Sequence, residues 1–410
     1  MVTADESHDG AALPYRCPAN LGEPPQFPVL RQGPGIDRLP TSTGDSAWLV
    51  TSHDGVRTMC GDPRVGKSHA DPPRAPRLWD AALMEPQSGH ADEFAVHSRW
   101  RHTLSRHFSS RRVAQLRPHM EEVLGRIVTD RLAEGPPMDV RTGLAQPFAA
   151  TVVCDLLGLP HALRPALVAW SDTARAHGMA REAAARRGAL RRRIDRVLDD
   201  VRAEARGSAA DDTLVRDLAL ARPGAHRLAR EEWADAVLDV FLAGYDTIST
   251  RIVHGTAYLL DHPEQLRALT GDPALIPGAV EEIFRLAVPG GSWIPRYARS
   301  DIPLPHATVA AGDLIVLSFQ SANRDERVFP EAERFDIRRH PNPHIAFGHG
   351  TFYCLGAALA RLELSLYLAA LARFPGLGTA SPGQEHVLAE ATVTGGLEHL
   401  LTTWDTDGSV

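Results

Sequence analysis

The sequence lacks any apolar segment long enough to cross a membrane. No run approaches the roughly 20 apolar residues that a membrane-spanning helix needs, although hydrophobic residues fill 43% of the 410 positions. The first ten residues, MVTADESHDG, contain neither the basic nor the apolar region of a secretory signal. We therefore expect a soluble, cytoplasmic protein with no membrane partner and a sizeable core.

Cysteine and lysine are also scarce. The four cysteines, Cys17, Cys60, Cys154 and Cys354, lack the spacing of metal fingers, and a cytoplasmic location argues against disulfides. Lys67 is the single lysine among 44 basic residues. The formal net charge of −7 and a pI near 6.2 give no reason to expect a nucleic acid partner.

No Pro/Ser/Gly-rich linker or charge block divides the chain, which predicts one domain over residues 1–410, irregular at about 1–27 and around Pro24–Pro40. Apolar residues at three- and four-residue spacing predict helices, among them Val113–Leu132, Leu190–Ala205 and Glu231–Leu260. Short alternating or β-branched runs predict strands within Ala47–Thr51, Leu304–Leu317 and Ala391–Thr403. The expected fold class is mainly α with small β-sheets (α+β).

The most informative stretch is AFGHGTFYCLGAALARLE, residues 346–363, where a glycine-rich turn delivers Cys354 to the start of an amphipathic helix. Unpaired N–H groups and the helix dipole favour a thiolate there, as a metal ligand requires. Gly348, Gly350 and Gly356 allow a sharp turn and close approach to something flat and bulky. A lone cysteine is more commonly a small buried apolar residue, but the glycine spacing favours the ligand.

This stretch resembles the haem-binding signature of the cytochrome P-450 superfamily, Phe-Gly-x-Gly-x-(His/Arg)-x-Cys-x-Gly, at Phe347, Gly348, Gly350, Cys354 and Gly356. The resemblance extends from about position 28 to position 399. It implies the family's fold of a large helical part and a small β-rich part, haem b as cofactor, and Cys354 as the axial ligand of the iron. The sequence departs at Phe352, where the family has a His or Arg that binds a haem propionate; a phenyl ring cannot donate that bond.

A second segment, Ala243-Gly244-Tyr245-Asp246-Thr247, interrupts an otherwise apolar helix. Glycine inside a helix costs about 1 kcal/mol relative to alanine, so this one asks for a reason. The segment matches the family's oxygen-activation motif, which implies that Gly244 leaves room for dioxygen while Asp246 and Thr247 hold water and deliver protons. The alternative is a kinked helix whose threonine bonds to its own turn. Tyr245 either lines the pocket or anchors a structural hydrogen bond.

Two further sets of residues fit the same resemblance. Glu282 and Arg285 share a helical face and, with Arg334, are expected to form a structural carboxylate–guanidinium network beneath the haem. His97 and Arg101, four residues apart on one helix, and Arg296 match the family's propionate partners, and three donors tolerate the loss at Phe352.

The resemblance places the pocket walls around Leu78, Trp79, Leu83, Met84, Tyr245, Trp293 and Val393. This set favours an apolar or aromatic-tolerant pocket, although each residue is equally compatible with ordinary core. We expect a haem-thiolate monooxygenase that takes electrons from NAD(P)H through ferredoxin reductase and ferredoxin, uses dioxygen, and oxidises a small secondary metabolite.

Hydroxylation is the default outcome, with epoxidation and radical coupling of aromatic substrates left open. The alternatives are a peroxide-driven enzyme and a non-catalytic haem sensor or carrier. The intact Asp246–Thr247 pair argues against both, because neither needs a proton relay.

Overall fold

The computed structural model describes residues 12–15, 17–18, 21–204, 213–221, 227–287, 293–380, 386–389 and 395–406. Within these residues the α-helices, α1 to α13 in chain order, are Gln26–Gln32, His53–Gly61, Glu93–Leu104, Ser110–Glu134, Gln146–Leu157, Arg164–Arg175, Ala180–Glu204, Leu214–Leu220, Trp233–Asp261, Pro263–Gly271, Ile276–Leu286, Phe319–Ala322 and Ala357–Ala370. The strands, β1 to β10, are Ile36–Pro40, Ser46–Val50, Val65–Gly66, Met138–Asp139, Trp293–Ala298, Ile302–Pro303, Thr308–Val309, Leu314–Ser318, Gly378–Thr379 and Leu401–Thr403.

Helix α9 is the central element. It is buried on nearly all sides because its sequence is apolar through most of its 29 residues, and it packs against α5, α7 and α13. The backbone N–H of Ala229 donates to the Glu232 carboxylate just before the helix, at 2.6 Å, which satisfies a donor at its start. The helix predicted at Glu231–Leu260 is thereby confirmed within two residues at each end.

The other two predicted helices are confirmed as well. Helix α4 contains Val113–Leu132; it is capped by the Ser109 hydroxyl, which accepts from the Arg112 N–H, and it ends at Gly135 with φ of 77°. Helix α7 contains Leu190–Glu204, and Ala205 lies outside the described residues. No helix in the described ranges is both long and apolar enough to cross a bilayer.

The main sheet has five strands in the order β1-β2-β8-β5-β3. Strands β2 and β8 pair in parallel, with Ala47 opposite Leu314 and Val50 opposite Leu317. Both are continuous apolar runs, as expected of strands covered on two faces. The strand predicted at Ala47–Thr51 is confirmed, and Leu304–Leu317 contains β7 and most of β8. Of Ala391–Thr403 only Leu401–Thr403 forms a strand in the described part, and residues 391–394 lie outside it.

The prediction of irregular chain around Pro24–Pro40 is wrong, because this segment forms helix α1 and strand β1. Pro25 and Pro40 lie at the ends of these elements, where a missing N–H is tolerated. Phe27 and Leu30 are buried, and Arg31 makes a buried ion pair with Glu23 at 2.5 Å. Tertiary burial therefore outweighs the breaking signal of the prolines.

Helix α11 carries a fully buried ion pair. The Arg285 guanidinium donates to both carboxylate oxygens of Glu282, at 2.8 and 2.7 Å, and neither side chain is exposed. Arg285 also donates to the backbone carbonyls of Asn323, Ala332 and Arg334, at 2.9, 2.6 and 3.1 Å. These bonds satisfy both charges, which is the condition for a buried pair to be stable.

The expected role of the Arg334 side chain in this network is wrong. Its guanidinium is 61% exposed and pairs with Glu331 at 2.9 Å, so only its backbone carbonyl reaches Arg285. The second arginine on Glu282 is Arg339, at 3.2 Å and 10% exposed. Both arginines lie within the segment PEAERFDIRR, and sequence alone does not distinguish which one turns inward.

We predict that Arg339→Gln destabilises the fold by about 3 kcal/mol, because it removes one partner of a buried charge. The matched variant Arg334→Gln should cost less than about 1 kcal/mol, since its ion pair is exposed. Thermal unfolding of the two variants against the parent measures the difference. Equal losses of stability would contradict the assignment of Arg339 to the buried network.

Candidate active site

The loop before α13 presents Cys354. Its backbone N–H donates to the Phe347 carbonyl at 2.8 Å, which closes the turn. Gly348 and Gly350 have φ values of +75° and +67°, a conformation that side-chain-bearing residues rarely adopt. A Cβ at Gly350 would also lie 2.7 Å from the Cys60 carbonyl oxygen, so this glycine lets the loop rest on the end of α2.

Gly356 lies immediately before α13, and a Cβ placed on it would face the Cys354 sulfur at 4.0 Å. Its φ is −84°, so the need for glycine here is space beside the sulfur rather than backbone conformation.

A charged network fixes the other side of the loop. Arg361 donates to both oxygens of Glu281, at 2.7 and 2.9 Å, and its guanidinium lies 4.5 Å from the centre of the Phe347 ring. His344 accepts from the Ala346 N–H through Nδ1, so its Nε2–H donates to Glu281 at 2.9 Å. Burial alone would raise the pKa of Glu281, but the bonds from His344 and Arg361 hold it at about 2. The carboxylate therefore stays charged and anchors both neighbours.

The Cys354 thiol is open to solvent-sized molecules, yet it lies deep in the protein, and burial raises its pKa. The Gly356 N–H and the charges of Arg101, Arg361 and Arg251 act in the opposite direction without overcoming the burial. In the absence of a bound metal, the helix terminus therefore does not by itself bring the pKa of this thiol below its ordinary value. A metal cation bonded to the sulfur would supply the missing stabilisation of the thiolate.

Helix α9 brings a stripe of open positions towards this cysteine. Asp239, Ala243 and Thr247 are exposed at four-residue spacing, on a helix that is otherwise mostly buried. Arg251 is one turn further along, and its charge lowers the pKa of Cys354, so this end of the stripe lies near the sulfur. The Thr247 hydroxyl donates to the Ala243 carbonyl at 2.7 Å. The alternative to a catalytic role predicted this bond to the preceding helical turn. The Thr247 oxygen can still accept a hydrogen bond.

The structure places Gly244 and Tyr245 differently from the sequence expectation. A Cβ on Gly244 would meet Val153 of α5 at 3.1 Å, so this glycine allows close packing of α5 on α9 rather than leaving room for dioxygen. Ala243 is the small residue on the open stripe. Tyr245 is fully buried, stacks on Phe241 with ring centres 5.5 Å apart, and has no hydrogen-bond partner for its hydroxyl among the described residues.

Asp246 is buried and pairs with Arg175 of α6 at 3.2 Å. Arg175 also pairs with Asp172 at 2.7 Å. A cavity of about 20 Å³ adjoins Asp246, Arg175 and Thr250. This volume is enough for one water molecule, so the carboxylate has room for a proton-carrying partner.

The three predicted propionate partners lie together around Phe352. The neutral ring of His97, whose pKa burial lowers, donates through Nε2–H to the Thr351 carbonyl at 3.1 Å. Arg101 donates to the Tyr353 carbonyl at 2.6 Å. The Arg296 guanidinium lies 5.3 Å from the centre of the Phe352 ring.

A fourth cation, which the sequence reasoning missed, is Lys67, with its ammonium 4.7 Å from the same ring. That Lys67 is the only lysine in the sequence was the one feature that could have drawn attention to it. In the part of the chain that the structure describes, Lys67, Arg101 and Arg296 have no carboxylate within ion-pair distance. Partly buried cations without ion-pair partners are costly, and the two propionates of a haem bound at Cys354 would offset much of that positive charge.

The main cavity holds about 440 Å³. Of the predicted pocket residues, Trp79 and Trp293 line it, Leu78 is buried beside them, and Leu83 and Met84 pack against the same cluster. Val393 lies outside the described residues. The lining also contains Asp80, His177, His254 and Gln320, so the cavity is aromatic and polar rather than apolar throughout.

Comparisons with known proteins agree with this geometry. A family model described as cytochrome P450 matches residues 274–374. Pentalenolactone synthase of Streptomyces exfoliatus is 35% identical over 401 residues, which are 96% of this chain and 98% of that protein. Mycinamicin IV hydroxylase/epoxidase of Micromonospora griseorubida is 32% identical over 410 residues, 97% of this chain and 100% of that protein.

The crystal structure of mycinamicin VIII C21 methyl hydroxylase from Micromonospora griseorubida, bound to mycinamicin VIII, superposes with a TM-score of 0.84 at 30% identity, over 96% of this chain and 100% of that chain. The likeness thus covers sequence and fold along nearly the whole chain. This protein belongs to the cytochrome P450 family and is a monooxygenase.

Proposed function

We propose that the protein binds haem b through Cys354 and oxidises a small natural product with dioxygen and electrons from a ferredoxin. The observation that carries the proposal is the setting of Cys354: its thiol feels the charges of Arg101, from the cation cluster, and of Arg251, one turn beyond the open stripe of α9. Haem held by a thiolate activates dioxygen, and the thiolate donates electron density that favours cleavage of the O–O bond.

The residues of the chain have two roles: some would hold the cofactor, and others would shape the space beside it. Cys354 supplies the sulfur, and the network of Glu281, His344 and Arg361 fixes the loop that presents it. His97, Arg101 and Arg296 would bind the carboxylates of the cofactor. Ala243, small and exposed, would leave room beside it.

Protons would reach the site through α9. The Asp246 carboxylate pairs with the buried Arg175 guanidinium and adjoins a cavity large enough for one water. Thr247, the next residue, offers a hydroxyl whose own proton is given to the Ala243 carbonyl. That arrangement leaves the Thr247 oxygen as an acceptor that can hold a water, and through it a proton, over the open stripe.

The substrate would occupy the main cavity, which helix α9 lines at His254 and Tyr258. Trp79 and Trp293 offer flat apolar surface, whereas Asp80, His177 and Gln320 offer hydrogen bonds. This mixture suits a natural product with both hydrocarbon and oxygen-bearing parts. Support comes from relatives whose names or structures specify mycinamicins as their substrates or ligands.

Electrons would arrive on the face nearest Cys354. His349, Thr351 and Tyr353 are exposed there, so a partner can approach within a few residues of the sulfur. The exposed Arg111 at the start of α4 offers a positive charge to an acidic ferredoxin. We propose that ferredoxin is reduced by ferredoxin reductase with NAD(P)H, which places the reaction in the cytoplasm.

The whole proposal can be tested with the purified protein and a surrogate ferredoxin, ferredoxin reductase and NADPH. Natural-product candidates that shift the optical spin state should accelerate NADPH consumption and appear as products carrying oxygen from dioxygen. A haem carrier would show the binding shift without substrate-dependent NADPH consumption, and a peroxide-driven enzyme would react only when hydrogen peroxide is supplied.

Cys354→Ser should abolish the red-shifted Soret band of the reduced carbon monoxide complex, because that band requires a thiolate ligand. Cys60→Ser is the matched control, since Cys60 lies beside the loop and should be dispensable for the band. Optical difference spectra of both variants measure this. A Cys354→Ser protein with the parent band would contradict the assignment of the ligand.

Thr247→Ala should bind cofactor and substrate normally but divert electrons to hydrogen peroxide. A fully lost proton-transfer group costs about 10²- to 10⁴-fold, and water partly replaces it here, so coupling should fall by at most about 10²-fold. Thr247→Ser keeps the hydroxyl and should couple like the parent. The ratio of product to NADPH consumed is the measurement, and an unchanged ratio in Thr247→Ala would remove Thr247 from proton delivery.

A further inference from the structure

Lys67 occupies an unusual place for the only lysine of the chain. It follows strand β3, and its backbone N–H donates to the Glu93 carboxylate at 2.5 Å, which fixes the direction of the residue. Its ammonium lies over the Phe352 ring at 4.7 Å. Phe352 is also contacted by the ring of His97 at 4.6 Å and by the Arg296 guanidinium at 5.3 Å.

Glu93 contacts the backbone of Lys67 and forms no ion pair with its ammonium. Its oxygens accept from the backbone N–H groups of Lys67 and Ser68, from the Ser68 hydroxyl at 2.6 Å, and from the Arg299 guanidinium at 3.1 Å. Arg299 is the cation that forms an ion pair with this carboxylate. The charges of Glu93 and Asp239 attract the Lys67 ammonium and those of Arg296 and Arg101 repel it, but among the described residues no carboxylate forms an ion pair with it.

The half-buried ammonium is costly in that position. Burial, and then the charge of Arg296, lower the pKa of Lys67 to about 8, so the group remains largely protonated at neutral pH. A like-charged neighbour and partial desolvation both disfavour the charge, and an anion bound in the cluster would relieve both.

We propose that Lys67 binds a haem propionate and replaces the donor that is missing at Phe352. The inference rests on the proposed haem site, and it concerns which residue holds one carboxylate of the cofactor. Phe352 then acts as a platform. Its ring attracts the Lys67 and Arg296 cations on its surface and holds them beside the His97–Arg101 face, where the carboxylates must lie.

Lysine suits this position. An ammonium is a compact charge with three rotatable donors on a flexible stem, so it can reach a carboxylate from the segment that follows β3. The propionate hydrogen bond that the family makes from the position of Phe352 would thereby be made by Lys67, some 285 residues earlier in the chain.

The test is release of haem to excess apomyoglobin, followed optically on the purified holoprotein. Lys67→Met removes the charge while keeping the stem, and should accelerate release on the order of 10- to 100-fold, as expected for a charged hydrogen bond. Lys67→Arg should release haem nearly as slowly as the parent. Arg64→Met is the control, because Arg64 is on the same segment and pairs with Asp62 at 2.7 Å; its release rate should be unchanged.

The decisive variant is Lys67→Met/Phe352→His, in which the donor is returned to the position where the family has it. Slow release should be restored in the double variant. Failure of Phe352→His to restore retention, or parent-like release by Lys67→Met, would overturn the role of Lys67.

The proposed function is tested separately by the reduced carbon monoxide spectrum of the same samples. That spectrum should keep its thiolate band in every variant, because Cys354 is untouched. Loss of the band in the parent would contradict the haem-thiolate proposal itself rather than the role of Lys67.

Discussion

The buried ion pair of Glu282 and Arg285 is the interaction on which the rest of the site depends. Arg285 donates to the Asn323 carbonyl, and the Asn323 side chain accepts from the Ile345 N–H at 2.9 Å and donates to the Arg285 carbonyl at 3.2 Å. Ile345 directly precedes the loop that carries Cys354. The pair therefore transmits the position of α11 to the sulfur through two hydrogen-bonded steps. A buried charge pair is costly to form. In this protein it fixes the position of the loop that carries Cys354.

Charge balance explains the second half of the site. The charges of Arg101, Arg361 and Arg251 act on the cysteine sulfur and lower the pKa of its thiol, and Lys67 and Arg296 lie beside the Phe352 ring. Burial nevertheless raises the pKa of the thiol and lowers that of Lys67 to about 8. The protein alone thus holds its anionic ligand and its cations in unfavourable states, and a cofactor that brings a metal cation and two carboxylates would correct both.

Much of this could be predicted from the sequence, because local patterns determine it. The glycine spacing around Cys354, the apolar periodicity of α9 and the shared face of Glu282 and Arg285 all identified elements that the structure contains. What failed depended on packing between distant segments. The inward turn of Arg339 instead of Arg334, the contact of Gly244 with Val153, and the approach of Lys67 to Phe352 each join residues that sequence spacing does not relate. The prolines near position 30 led to a wrong prediction of irregular chain for the same reason, since burial of Phe27 stabilises the helix there.

The central claim is that one sulfur and one cluster of cations hold the cofactor. A crystal structure of the purified holoprotein tests it most directly. The account predicts iron bonded to the Cys354 sulfur, with propionate oxygens within hydrogen-bond distance of Lys67, Arg101 and Arg296. Iron held by another residue, or propionates directed to solvent away from all three cations, would contradict the account.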